Sequence, residues 1–231
     1  MAKMGVGYKD FILPEDTTEE EVLKLVEELN NDDTVHGMLV QLPIPNPEID
    51  DEKIVSAVSP SKDVDGFNEG GAPPCTALGI MKILERTNYD VKGKKVAVIG
   101  NNITVAKPSI DLLNAAGAEV LNIDSEDSNE IKVKLAEFGP KVIVSGVDKV
   151  GLISSSDIPD SVEVLIDGGA IREKQEDGKY KTFGDFNADE YELLDERGID
   201  YTFRVKGVGI MILTMLVYNL LDRYELLNQS K

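Results

Sequence analysis

Basic residues are scarce in this chain: 24 Lys and Arg stand against 43 Asp and Glu, a formal net charge of -19 over 231 residues. Nucleic acid and anionic membrane surfaces would both be repelled, so neither is expected as a partner. Cysteine is nearly absent. With Cys75 alone an internal disulfide is excluded, which fits a reducing compartment and predicts a cytoplasmic protein. Histidine is equally rare: His36 has no second imidazole and no C-x-x-C beside it, so a zinc site is not expected. Long apolar runs are missing too. No stretch approaches 18 consecutive apolar residues, and the opening MAKMGVGYKD contains no hydrophobic signal core, so no membrane span is expected.

Periodicity supplies the positive signals. Residues 16–29 read as a helix: Thr17 and Glu20 offer a capping box, and Val22, Leu25, Val26 and Leu29 recur on one face. Residues 36–42 read as a buried strand stopped by Pro43, Pro45 and Pro47. A short helix over 50–58 follows, then a Gly/Pro loop and a helix that Thr76 is placed to cap. Beyond Lys94 the pattern changes to strands over 96–99, 119–123, 141–144 and 162–166, with helices over 105–116 and 129–138 between them. That alternation predicts a parallel sheet with helices on both faces. A hairpin turning at Asp177-Gly178, a helix over 188–197 and an apolar helix over 209–221 complete the chain.

Two short runs carry the most specific chemistry: VHGMLVQLP (residues 35–43) and KDVDGF (residues 62–67). They put an amide, Gln41, and a carboxylate, Asp65, at the ends of apolar or turn segments, where polar groups can face a cleft. Further on, the strand over 96–99 runs into Gly100-Asn101-Asn102 and then a helix. Such a turn presents free N–H groups to a phosphate, although it lacks the full G-x-G-x-x-G pattern. Asp124 ends the next strand, 24 residues past Gly100, near the offset at which an acid meets an adenosine ribose. A carboxylate there accepts from ribose hydroxyls and repels a 2′-phosphate, and no Arg or Lys lies between Gly100 and Val105, so NAD is expected over NADP. The same residues, with Glu126 and Asp127, also read as a plain solvated acidic loop. His36, in VHG at a strand start, reads as a structural residue, and so does Cys75, which has no His or other base near it in sequence.

In order along the chain stand VHGMLVQLP, KDVDGF, PCTALG (residues 74–79), the Gly100 turn closing on Lys107-Pro108, IDGG (166–169) and KGVGIM (206–211). This series resembles the methylenetetrahydrofolate dehydrogenase/cyclohydrolase family, and the resemblance covers essentially the whole chain. It implies an α/β protein: a Rossmann-like parallel-sheet nucleotide domain and a smaller, truncated folate-binding domain, with the last helix returning to the first lobe. The expected division is 1–78, 79–204 and a returning segment 205–231. A homodimer is implied as well. The implied chemistry is oxidation of 5,10-methylenetetrahydrofolate by hydride transfer to a nicotinamide cofactor, followed by hydrolysis of the methenyl product in the same cleft. Carried over to this chain, Gln41 and Asp65 are the catalytic pair, with Asp65 holding the pterin edge. Val40, Gln41, Leu42, Asp65, Lys206, Gly207 and Gly209 face the folate. Gly100, Asn101, Asn102, Asp124, Ser125 and Ala170 contact the cofactor.

Departures from the family pattern shape the functional expectation. The family's Tyr-x-x-x-Lys pair would precede Met1, and neither Lys3, Lys9 nor Lys62 occupies its place. General acid–base help is worth ~10²–10⁴-fold and matters most for the hydrolysis, whereas hydride transfer depends on positioning. Weak or absent cyclohydrolase activity is therefore expected beside dehydrogenase activity. Losing the preceding strand would also expose an edge of the first lobe. Lys206 replaces a glycine, and its ammonium is expected to meet the folate's glutamate tail. Two other readings stay open: a non-catalytic folate- or nucleotide-binding homologue, and a truncated form of a conventional bifunctional enzyme.

Overall fold

The computed structural model describes residues 5–175, 177–203 and 207–229. Its centre is a five-stranded parallel sheet built from β1 (Lys95–Ile99), β2 (Glu119–Ile123), β3 (Val142–Ser145), β4 (Val164–Asp167) and β7 (Asp200–Tyr201), in the order β2-β1-β3-β4-β7. Registers such as Val98 opposite Asn122 on one side and Val144 on the other fix the central strand. Side chains alternate across it. Val96 and Val98 join Ile80, Leu84, Leu113, Val142, Val144 and Val208 under α3 (Cys75–Arg86), α4 (Ala106–Ala115) and α7 (Val208–Gln229). Ala97 and Ile99 join Ile131, Leu135, Ile143, Leu165, Phe186 and Leu194 under α5 (Ser128–Phe138) and α6 (Tyr191–Glu196). Residues buried on both faces need this near-continuous apolar sequence, which is why the strands read clearly. Between β4 and α6, β5 (Ile171–Lys174) and β6 (Tyr180–Phe183) form the expected antiparallel hairpin.

Ahead of the sheet lies a smaller unit: α1 (Glu19–Asn30), α2 (Asp51–Ser56) and the segments between them, around Val22, Val26, Met38, Ile49, Ile54 and Val58. The α1 cap sits one residue later than expected. Thr18 accepts from the Glu21 amide at 3.3 Å while Glu21 accepts from the Thr18 amide at 2.9 Å. The run Thr17-Thr18-Glu19-Glu20-Glu21 offers the same spacing in adjacent registers, and the second is the one used, with Val22 and Val26 buried.

The expected strand over 36–42 does not form. Met38 makes a single bridge to Asp63, through Met38 N to Lys62 O at 2.7 Å and Val64 N to Met38 O at 3.4 Å. A ladder needs a partner that stays extended, and residues 62–64 turn away at Asp65. Leu39 is left exposed. Residues 6–14 have no regular structure, and Tyr8, Phe11, Ile12 and Leu13 are exposed there. Thr76 does not cap α3, whose N-cap is Pro74, with no side-chain bond. Helix α7 runs well past Leu221.

Helix α7 ties the two units together. Asn219, buried at 2% exposure, donates to the carbonyls of Val64 and Pro73 at 2.9 Å each and to Cys75 Sγ at 3.2 Å. Near its end the Tyr224 ring meets His36 edge-on at 5.0 Å. At its start α7 packs closely on α3, where Gly79 faces Met211. The returning helix expected from the sequence is thus observed, and His36 has a packing role.

Candidate active site

The order of the sheet reverses between β1 and β3, and a crevice opens where their C-terminal ends diverge, the usual seat of ligands in such sheets. Gly100, Asn101, Asn102, Asp124, Ser125, Glu126, Gly146 and Val147 line a cavity of about 180 Å³ there. Gly100 holds φ 117°, and a Cβ on it would run into the Gly146 carbonyl. Its amide donates to Ile123 O at 2.9 Å while the Gly146 amide donates to Ile99 O at 2.9 Å, so the turn is drawn tightly between its neighbouring strands.

Five of the six residues expected at the cofactor line this cavity: Gly100, Asn101, Asn102, Asp124 and Ser125. Ala170 does not; its amide donates to Asp148 Oδ1 at 3.3 Å. The lining side chains are held differently. Asn101 donates to Asp124 Oδ2 at 2.9 Å, a bridge from the first turn to the second strand. Asn102 is turned inward: its oxygen accepts from the amides of Val105 at 2.8 Å and Ala106 at 3.0 Å, and its nitrogen donates to Gly146 O at 2.7 Å. It therefore shapes the turn and holds the first amides of α4, and its side-chain groups are taken up within the protein. Ser125 donates to Glu130 at 2.7 Å, and Asp127 accepts from the Asn129 amide at 2.8 Å as the N-cap of α5. The acidic loop thus divides: Asp127 is structural, while Asp124 and Glu126 edge the cavity. The nearby Lys149 ammonium lies 3.1 Å from Glu126 O and 3.6 Å from its carboxylate. Gly146 and Val147 were not foreseen, although the end of β3 at the switch point would have indicated them.

On the folate side the KDVDG turn is organised around its first aspartate. Buried Asp63 accepts from the amides of Asp65 at 3.0 Å, Gly66 at 2.9 Å and Asn68 at 2.8 Å. Gly66 at φ 85° passes so close to Pro73 that a Cβ would collide with it. Lys62 does not pair with either aspartate. Its ammonium donates to the carbonyls of Leu29 at 2.9 Å and Asp32 at 2.7 Å, closing the C-terminal end of α1. Asp65 is then left with a carboxylate that takes no hydrogen bond from the described residues. Burial, and next the Asp63 charge, push it up to about 6. A half-buried, unpaired acceptor of this kind is suited to a ligand bearing paired N–H donors.

Gln41 lies at the surface of the same lobe. It is exposed, its amide donates to Leu42 O at 2.9 Å, and no hydrogen bond joins it to Asp65 among the described residues. Val40 and Leu42 beside it are partly buried. Gly207 and Gly209 open α7, and the space around Gly209 is free. Lys206 lies outside the described residues. Cys75 is buried, donates to Val64 O at 3.1 Å and is pushed up to about 12, first by burial, which makes it a packing residue.

Residues 1–65 match the family described as tetrahydrofolate dehydrogenase/cyclohydrolase, catalytic domain, and residues 74–228 match its NAD(P)-binding domain. The chain belongs to the tetrahydrofolate dehydrogenase/cyclohydrolase family. Among its relatives, the bifunctional protein FolD of Geotalea daltonii is 37% identical over 230 residues, covering 95% of this chain and 78% of that protein. FolD of Staphylococcus carnosus is 39% identical over 229 residues, covering 95% and 76%. The crystal structure of the bifunctional FolD dehydrogenase/cyclohydrolase from Campylobacter jejuni superposes with a TM-score of 0.76 at 32% identity, over 91% of this chain and 74% of that one. The Trypanosoma brucei enzyme, described as complexed with NADP and inhibitor, gives 0.77 at 26%, over 92% and 74%. The sequence motifs, the parallel sheet and the returning helix thus agree with a dehydrogenase/cyclohydrolase fold with a nicotinamide-cofactor domain.

Proposed function

We propose that this chain oxidises the methylene bridge of 5,10-methylenetetrahydrofolate with NAD in preference to NADP, and that its cyclohydrolase activity is weak. The observation that carries the cofactor choice is the Asp124 carboxylate at the rim of the Gly100 turn, held by Asn101 and followed by Glu126. Ribose hydroxyls donate to such a carboxylate, whereas a 2′-phosphate would meet two negative groups. The nearby Lys149 ammonium is already engaged by Glu126. When bound, the dinucleotide supplies the hydride acceptor; the protein's own part is to bind, orient and exclude water.

Asp65 is assigned to the pterin edge, with Val40, Leu42, Gly207 and Gly209 along the folate. Loss of a hydride from the methylene carbon needs no proton carrier, so alignment of the two ligands suffices. Hydrolysis does need one. Gln41 has its amide folded onto Leu42, and Lys62 is occupied at α1, which supports a slow second step.

The reading divides the chain at 1–78, 79–204 and 205–231, and includes a cytoplasmic homodimer. The lone buried thiol fits the compartment. The exposed apolar residues Ile210, Leu213, Tyr218 and Leu221 along α7 support an association between copies. No helix among the described residues is long and apolar enough to cross a membrane. A turnover assay with each dinucleotide tests the function: NADH formation well above NADPH formation is expected, with methenyltetrahydrofolate accumulating. Equal rates with NADP, or direct formation of 10-formyltetrahydrofolate, would overturn the proposal.

A further inference from the structure

Asp185 is a fully buried carboxylate for which neither motif nor chemistry has so far given a role. It follows β6 and Gly184, and is itself held by Asp167, whose carboxylate accepts from the amides of Asp185 at 3.1 Å, Phe186 at 3.0 Å and Gly169 at 3.0 Å. Gly169 leaves the space that Asp185 fills: a Cβ there would come within 2.7 Å of the carboxylate. The IDGG run and the Phe183–Phe186 segment are thereby interlocked.

The carboxylate of Asp185 is aimed at one loop. One oxygen accepts from the Val147 amide and the other from the Lys149 amide, each at 2.9 Å. Between them Asp148 adopts φ 61°, and its own carboxylate accepts from Asn102 Nδ2 at 3.2 Å and from the Ala170 amide at 3.3 Å. Asn102 in turn holds the first amides of α4. A continuous chain of hydrogen bonds therefore runs from the end of β6 to Gly146 and Val147, which wall the cavity, and on to the Gly100 turn. Two parallel bonds from one carboxylate fix the loop in a way that a single acceptor does not.

We propose that Asp185 is a positioning residue for the dinucleotide, fixing through the Val147 and Lys149 amides the wall against which the cofactor turn is built. The proposal rests on the assignment of the cofactor to the Gly100 turn. An asparagine at 185 keeps one acceptor and turns an N–H donor toward the other amide, so one bond is lost and a donor is left facing a donor. Ionisation enters as well. Burial pushes Asp185 up to about 6, the Val147 amide opposes that, and the Asp167 charge, with that of Asp148, reinforces it. Among the described residues the charges acting on it are these two carboxylates, while the Lys149 ammonium is turned away to Glu126. Protonation relieves the burial cost but weakens the grip on the loop.

The test measures NAD and folate binding by calorimetry for the wild-type chain and Asp185→Asn at pH 7.5 and 5.5. Amide hydrogen exchange at Val147 and Lys149 is followed without cofactor. The expected result is a roughly 10–100-fold weaker NAD affinity in the variant with folate affinity within twofold. Wild-type NAD affinity falls at the lower pH, the variant shows no such fall, and both amides lose protection in the variant. Unchanged NAD affinity, equal loss of NAD and folate affinity, or unchanged amide protection overturns the proposal. A wild-type chain that binds neither dinucleotide overturns the cofactor assignment first and the proposal with it, a result distinct from loss in the variant alone. Should Asp185→Asn fail to fold, the wild-type pH series decides: protection at the two amides, corrected for intrinsic exchange, drops below about pH 6, and a flat series sinks the idea.

Discussion

Asn101 and Asp124 meet across the mouth of the parallel sheet, the amide of one donating to the carboxylate of the other at 2.9 Å. The contact leaves the second carboxylate oxygen free of Asn101 and holds the charge at the cavity rim. Asp124→Asn removes the charge while keeping the shape. A hydrogen bond to a charged group is worth about 1.5–3 kcal/mol, so kcat/KM with NAD should fall by roughly 10–100-fold. Activity with NADP should be unchanged or higher, because the repulsion of a 2′-phosphate is relieved. Steady-state kinetics with both dinucleotides measures the ratio, and an equal loss with each would refute the selectivity argument.

Asp65 gives a pH prediction with a definite sign. Its folded-state value, pushed up to about 6, lies above the ordinary aspartate value of 3.8. The folded chain therefore holds a proton that the unfolded chain has released between those two values. The charge costs stability above pH 6, and that cost fades as pH falls toward 4. Asp65→Asn should raise Tm by a few degrees at pH 7.5, with little difference near pH 4, because a half-buried charge with no hydrogen bond from the described residues is removed. Folate KM should rise by at least about tenfold in the same variant, since an amide cannot accept twice. In the wild type, kcat/KM for folate should climb with pH through about 6, and the variant should lack that limb.

Local signals located most of the fold. Val96 to Ile99 and Val142 to Val144 are apolar without interruption because both faces of the sheet are covered, and their helices are the ones that cover them. Residues 36–42 carry the same apolar signature but fail as a strand, because pairing is decided by a partner 25 residues away that bends at Asp65. β7 escaped notice for the opposite reason: two residues, Asp200 and Tyr201, make a strand only because β4 is beside them. At the site, Gly100 and Asp124 were legible from their spacing. The inward turn of Asn102 and the reach of Asp185 to Val147 were not, since each depends on contacts 44 and 38 residues distant. The role of Lys62 was not legible either, because its ammonium passes over its aspartate neighbours in sequence and spans to the end of α1.

Asn219 is the point where the last helix is fastened to the Asp65 turn. Replacing it by alanine leaves the Pro73 carbonyl without this donor and the Val64 carbonyl with the weaker Cys75 thiol alone. Each such loss costs about 1–3 kcal/mol, so Asn219→Ala should lower unfolding free energy by a few kcal/mol in urea melts. Because Val64 adjoins Asp65, folate KM should rise while NAD affinity stays within twofold. Loss of both affinities together would mean that α7 supports the whole molecule and not this turn.

Gly100 offers the sharpest test of close backbone approach. At φ 117° an L-residue is strained, and its Cβ would strike the Gly146 carbonyl, which belongs to the opposite wall of the cavity. Gly178 at φ 80° is the natural control: its φ is also positive, but nothing lies within 4 Å of the added carbon. Backbone strain alone costs about 1–3 kcal/mol. Gly178→Ala should therefore lower Tm modestly and leave NAD affinity unchanged. Gly100→Ala should lower Tm further and weaken NAD binding at least about tenfold, because the turn must move away from Gly146 to admit the methyl group. Calorimetry and thermal melts of the two variants side by side separate the terms. If the Gly100 variant matched the Gly178 variant in NAD affinity, the tight turn would have no part in holding the cofactor.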